Sequence, residues 1–165
     1  MISTAIRKMV DFYNGNRHDT EHFLKVWAYA KTIGEQENLD EKTQRILELA
    51  AVSHDIACPL CREKYGNANG KKQELESPPL VKNFLEELGV EGDEAERITW
   101  LVAHHHTYTG VDGLDYRILL EADFIVNAGE SEFPLSAIKN AYSQIFETAT
   151  GKSLLKSIYL RGEEV

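Results

Sequence analysis

The sequence predicts an all-α fold built as one domain, on three observations. Apolar residues recur three and four positions apart along most of the chain. No segment alternates apolar and polar residues between turn signals, as a half-buried strand does. No linker or internal repeat divides the 165 residues, a length that suits one substantial core. An apolar share of 42% with an ordinary charged fraction fits a folded chain.

The elements follow in order. A first helix is expected over about 3–13, stopped by Asn14-Gly15-Asn16, and a second from about 19 to 36 with Asp19 or Thr20 as its cap. A third begins after Asp40, whose side chain can cap the free amides of Glu41, Lys42 and Thr43, and runs to His54. Residues 57–72 contain a proline, two glycines and two asparagines and read as a long loop. Helices are then expected over 78–88, ended by Gly89, and over 93–106 and 115–129. Two more cover 134–148, with Pro134 suited to a first helical position, and 152–161. The single domain spans 1–165, with a core bearing the motifs described below at about 18–130 and the C-terminal helices at 134–161.

Composition narrows the function. A net charge of −9 argues against general nucleic-acid binding, which needs a basic footprint, but leaves room for a small phosphorylated ligand in a local cationic pocket. No run of eighteen apolar residues is present to span a membrane. The opening MISTAIRKMVDFYNGNRHD lacks the apolar stretch and cleavage site of a secretory signal, and Cys58 and Cys61 are the only cysteines. A cytoplasmic location is the expectation.

The chemistry is carried by polar groups on apolar helix faces. His22 shares a stripe with Val26, Tyr29 and Ile33; His54 with Leu47 and Ala51; His105 with Ile98, Leu101 and Val102; and Asp123 with Leu119 and Val126. Singly, each has a plain structural explanation: a hydrogen-bonded core histidine, an aspartate paired with an arginine or capping a helix, or a His104-His105-His106 run partly at the surface. Burying a carboxylate is costly unless something pairs with it. Four helices each turning a histidine or aspartate inward are economical if the groups meet, and a divalent metal ion is their natural meeting point.

Three other signals carry less. Cys58-Pro-Leu-Cys61 has CxxC spacing, without the second pair of a zinc site or the βαβ setting of a redox motif. Gly151-Lys152-Ser153 resembles the end of a phosphate-binding loop, but Phe146 stands where its first glycine belongs. Trp27, Trp100 and the tyrosines read as core and pocket wall.

The order His22, His54-Asp55, Asp123 is similar to the H…HD…D signature of the HD-domain superfamily. The flanks resemble it too: EHFLKVWAYAKTIGE its first metal-binding helix, ILELAAVSHDI the helix ending in the His-Asp pair, ITWLVAHHHTY a helix bringing further histidines, and ILLEADFIVN the final Asp helix. The likeness covers roughly residues 18–130. It implies a helical bundle of the HD-domain type and metal-dependent hydrolysis of a phosphoester or nucleotide. Two-metal members carry an additional histidine where this chain has Gln73, in Gln73-Glu74-Leu75-Glu76-Ser77, and the Gly-Tyr-Pro signature of cyclic-dinucleotide phosphodiesterases is missing. One ion is therefore expected (Mn, Fe, Co, Ni, Zn or Mg), held by His22, His54, Asp55 and Asp123.

Further roles follow as expectations. Asp55 orients the attacking water as well as ligating; Glu74, or else Glu76, is the general base; and His105 is a catalytic acid. His104, His106, Lys64 and Lys71 contact substrate. The lysines belong to a stretch, 62–72, in which Arg62, Lys64, Lys71 and Lys72 face one acid, Glu63. It is either a solvated loop or a clamp for the substrate phosphate. The substrate is expected to be a small phosphorylated metabolite or nucleotide. The alternatives are a metal-stabilised sensor or binding module without turnover, and an HD-fold lyase or oxygenase with a richer ligand set.

Overall fold

Asp40 accepts hydrogen bonds from the amides of Lys42 and Thr43, and Asn16 from that of Asp19, so two long helices start where a short polar side chain satisfies free N–H groups. The computed structural model describes residues 1–165 and contains nine helices and no strand. They are α1 (Ile2–Phe12), α2 (Arg17–Gln36), α3 (Glu41–Ser53), α4 (Cys58–Tyr65), α5 (Gly70–Glu86), α6 (Gly92–Val102), α7 (Leu114–Glu130), α8 (Leu135–Gln144) and α9 (Ala149–Tyr159).

Two helices run through the middle. On α3 every residue from Ile46 to Ser53 is buried, and on α7 every residue from Ile118 to Val126. A helix apolar on all sides must be covered on all sides. Around α3 lie α1, α2, α6 and α7, and α2 packs against both α3 and α7. One apolar cluster joins residues from Ala5 to Leu160. The all-α expectation holds. In this interior His22 of α2 and Asp123 of α7 face each other, and the turn after α3 brings His54 beside them.

Several expected boundaries are corrected. Residues 57–72 are not one loop. Pro59 sits in the first turn of α4, where its missing N–H costs nothing, and Gly66 closes that helix in the left-handed conformation (φ 73°). The fifth helix begins at Gly70, capped by Asn69, and passes through Pro78 and Pro79. Its buried stripe of Gln73, Ser77, Val81 and Phe84 offsets the ladder bonds the prolines cannot donate. Asn16, and neither Asp19 nor Thr20, caps α2. Pro134 precedes α8 as its cap residue, and Thr148 caps α9 by accepting from the Gly151 amide. The helix expected to reach 106 stops at Val102, which leaves His104, His105 and His106 in a turn.

Leu47 is fully buried at the centre of α3. Leu47→Ala should lower the free energy of unfolding by about 2–5 kcal/mol in urea titrations, through lost burial and the cavity left behind. A loss well under 1 kcal/mol would contradict the central position of α3.

Candidate metal centre

Each side chain arrives from a different element. His22 lies in the second turn of α2, Asp123 in the middle of α7, and His54-Asp55 in the turn between α3 and α4. His105 comes from the turn after α6. Their polar atoms converge. Nε2 of His22 and Nε2 of His54 are 3.2 Å apart. Asp123 Oδ1 lies 3.3 Å from His22 Nε2 and 3.6 Å from His54 Nε2. Asp55 Oδ2 lies 3.4 Å and 3.5 Å from the same two nitrogens, while its Oδ1 is 3.4 Å from His105 Nε2. His54 and His105 are fully buried, His22 and Asp123 nearly so.

The other ring nitrogens are occupied. His54 Nδ1 donates to the Ala51 carbonyl at 2.8 Å, His105 Nδ1 to that of Val102 at 2.7 Å, and His22 Nδ1 to Glu130 Oε2 at 2.8 Å. A carbonyl only accepts, so the protons of neutral His54 and His105 are placed on Nδ1 by their partners. Their Nε2 atoms are left as lone pairs. Two imidazole lone pairs 3.2 Å apart in a buried site repel unless a cation lies between them, and here that cation is either a proton or a metal ion.

The electrostatics agree. Burial opposes the charged form of His22, yet the hydrogen bond with Asp123 and the carboxylates of Asp55 and Glu130 lift its pKa to about 9. Burial likewise opposes ionisation of Asp55, but His54, His105 and His22 hold its carboxyl well below the usual range. Asp123 is lowered in the same way by His22 and His54. His105 is raised, Asp55 outweighing its burial. His106 is pushed down to about 4 by burial and by His105, and its Nε2 is buried without a partner.

Residues 20–128 match the family model described as the HD domain. The chain belongs to the HD-domain family. No curated protein matches it. The fold is similar to the crystal structure, at 1.45 Å, of a predicted HD superfamily hydrolase from an uncultured Thermotogales bacterium, with a TM-score of 0.67 and 21% identity over 97% of this chain and 84% of that one. That likeness concerns the fold alone. HD domains bind divalent metals, and two overlapping groups in this one could hold an ion: His22, His54 and Asp123, and His54, Asp55 and His105. Imidazole nitrogen with carboxylate oxygen suits a divalent transition metal.

The remaining expected residues fall in two sets. His106 packs against His105, with ring centroids 3.9 Å apart. His104 turns away, stacked on Trp100 at 4.2 Å with Nδ1 on the Trp100 carbonyl. Lys64 pairs with Glu76 at 2.5 Å, and Arg62 pairs with Asp19. Lys71 reaches Glu74 and Thr107 Oγ1, each at 3.3 Å. Most of the local positive charge is thus matched by acids from α2 and α5. Cys58 and Cys61 are free thiols, both buried.

Two residues at the site escape a search for inward-facing ligands. Glu130, itself held by Lys25 at 3.1 Å, orients His22, and Asn127 Nδ2 donates to Asp123 Oδ1 at 2.9 Å. Both lie on the Asp123 face of α7, at steps of four and three, which is the signal that could have found them.

Two predictions follow from these contacts. Removing the carboxylate in Glu130→Ala should weaken metal affinity about 10- to 100-fold by calorimetric titration, as loss of a ligand's outer partner does; unchanged affinity would show that Glu130 does not orient His22. The second concerns pH. The folded-state pKa of His22 stands above its ordinary 6.5, so its contribution to stability is complete below that pH and is lost as pH rises through about 9. The metal-free protein should melt at lower temperature at pH 9 than at pH 7, and the stabilisation by added Mn²⁺ should grow over the same interval as the ion takes the proton's place. A metal-free melting temperature that does not fall between these values would contradict the assignment.

Proposed function

We propose that this HD domain hydrolyses a small phosphorylated metabolite or nucleotide, using one divalent ion held by His22, His54, Asp55 and Asp123. The observation that carries the reading is the pair of buried imidazole nitrogens 3.2 Å apart, flanked by two carboxylates. A bound divalent ion supplies a Lewis acid for a phosphoryl oxygen and a lowered pKa for a water molecule.

A single ion is favoured by His54. It belongs to both candidate groups, but its Nδ1 is committed to Ala51, so one lone pair remains and can serve one ion. Asp55 directs Oδ2 to the His22–His54 side and Oδ1 to His105, and so can orient a water between these groups. His105 Nε2 makes no hydrogen bond and lies 3.4 Å from Asp55 Oδ1, a position from which it can hold a proton for the leaving oxygen. The neutral ring of His106 lies beside it as a substrate contact. Lys71, largely exposed and hydrogen-bonded to Thr107 in the turn that carries His105, is a better candidate for the substrate phosphate than Lys64, which Glu76 already holds.

The test is a screen of the purified protein with added Mn²⁺, Co²⁺ or Ni²⁺ against nucleotides, sugar phosphates and p-nitrophenyl phosphate. Metal-dependent release of phosphate is expected. His54→Ala and Asp123→Ala should lose bound metal and reduce kcat/KM by about a hundredfold or more, while Lys71→Ala should raise KM about tenfold with metal content unchanged. Metal binding without turnover of any phosphoester would contradict the hydrolase reading and leave a metal-bound binding module.

A further inference from the structure

The direction of His105 is not set by a helix. α6 ends at Val102, Ala103 closes it, and the chain turns through His104–Thr107 before the loop that leads to α7. Side chains in such a turn are aimed by whatever holds its backbone. One hold is local, from His105 Nδ1 to the Val102 carbonyl. A second comes from α7, where the Tyr116 hydroxyl is shared between the carbonyls of His104 and Thr107.

The third comes from α5 and is fitted to the turn. Glu74 Oε1 accepts from the His106 amide at 3.2 Å and from Thr107 Oγ1 at 2.7 Å. Its Oε2 faces Lys71 Nζ at 3.3 Å, and Lys71 also reaches Thr107 Oγ1. One turn earlier, Gly70 lies against the His106 ring, so closely that a Cβ there would sit 2.7 Å from it. The first two turns of α5 therefore admit the imidazole at one point and grip the backbone beside it at another. A general base, by contrast, needs a free lone pair within reach of the water.

We infer that Glu74 is a positioning residue, which fixes the His104–Thr107 turn and thereby the approach of His105 to Asp55, and that it does not take the proton of the attacking water. Burial favours the protonated form of Glu74, but its hydrogen bonds with Thr107 and Lys71 bring the carboxyl below its ordinary value, which makes it a weaker base. The catalytic consequence rests on the proposed hydrolase function; the structural one does not.

The test compares Glu74→Gln, Glu74→Ala and Thr107→Val. Glutamine removes the base but keeps an oxygen that accepts from the His106 amide and Thr107, whereas alanine removes the grip. In the metal-free protein, Glu74→Ala should shift the His105 imidazole resonances in ¹H–¹⁵N spectra, and it should weaken Mn²⁺ binding and lower kcat about 10- to 100-fold. Glu74→Gln should leave the resonances in place and retain most of kcat. Thr107→Val, which deletes one partner without touching the acid, should move the resonances in the same direction as Glu74→Ala. It keeps the test decisive should the alanine variant fail to fold. A loss of about a hundredfold or more in Glu74→Gln with unmoved resonances would make Glu74 the base and overturn the inference; so would unmoved resonances in both Glu74→Ala and Thr107→Val. If the wild type hydrolyses no phosphoester, the spectra and the Mn²⁺ affinity still decide the role of Glu74, and only the proposed function fails.

Discussion

Two imidazole nitrogens facing each other across 3.2 Å in the protein interior, with Asp55 and Asp123 beside them, set a constraint on everything around them. With the histidines neutral, the cluster carries two negative charges and several inward lone pairs. Isolated buried charge of that kind is expensive, and surrounding it with apolar helices makes it more so. A divalent ion cancels the charge and takes up the lone pairs together. A proton on His22 does part of the same work, which is why its pKa lies so far above the ordinary value. A proton and a divalent ion would compete for one place there, and the stability of the fold would follow which of them holds it.

The fold meets the constraint with rigid posts and tied ends. The buried middle of α7 cannot shift without opening the core, so Asp123 is fixed by packing, and His54, fully buried just past the end of α3, is held by its hydrogen bond to the Ala51 carbonyl. His22 is fixed by Glu130 and Lys25 across the α2–α7 contact. His105, fully buried beyond the end of its own helix, is held to the Val102 carbonyl in the same way as His54 to that of Ala51. It also relies on hydrogen bonds from α5 and α7 to the turn that carries it. The site thus joins a part set by the core to a part set by a polar clasp.

What could be read from the sequence was what helical periodicity controls. His22, His54 and Asp123 fall on apolar stripes, and a stripe of period 3.6 fixes which side faces inward; the order and spacing of these residues also carried the family. A helix continued to residue 106 puts His105 in the interior. The side chain is buried, but in a turn, because a histidine accepted by its own i−3 carbonyl ends the helix without leaving the core. Glu130 and Asn127 give no such signal, since polar residues near a helix end usually face water. The sequence reads as loop over α4 because Pro59, Gly66 and the asparagines mark the ends of helices as well as turns. The cations of 62–72 illustrate a different limit. Their charge can be counted locally, but their partners Asp19, Glu74 and Glu76 are supplied by the fold.

The claim on which the rest turns is that a divalent ion belongs where these side chains meet. Anomalous diffraction from crystals of the protein loaded with Mn²⁺ tests it most directly. One strong peak per chain is expected, bounded by Nε2 of His22, Nε2 of His54 and the carboxylates of Asp55 and Asp123. A map with no peak there at saturating Mn²⁺, with His22 and His54 still in contact through a proton, would contradict it.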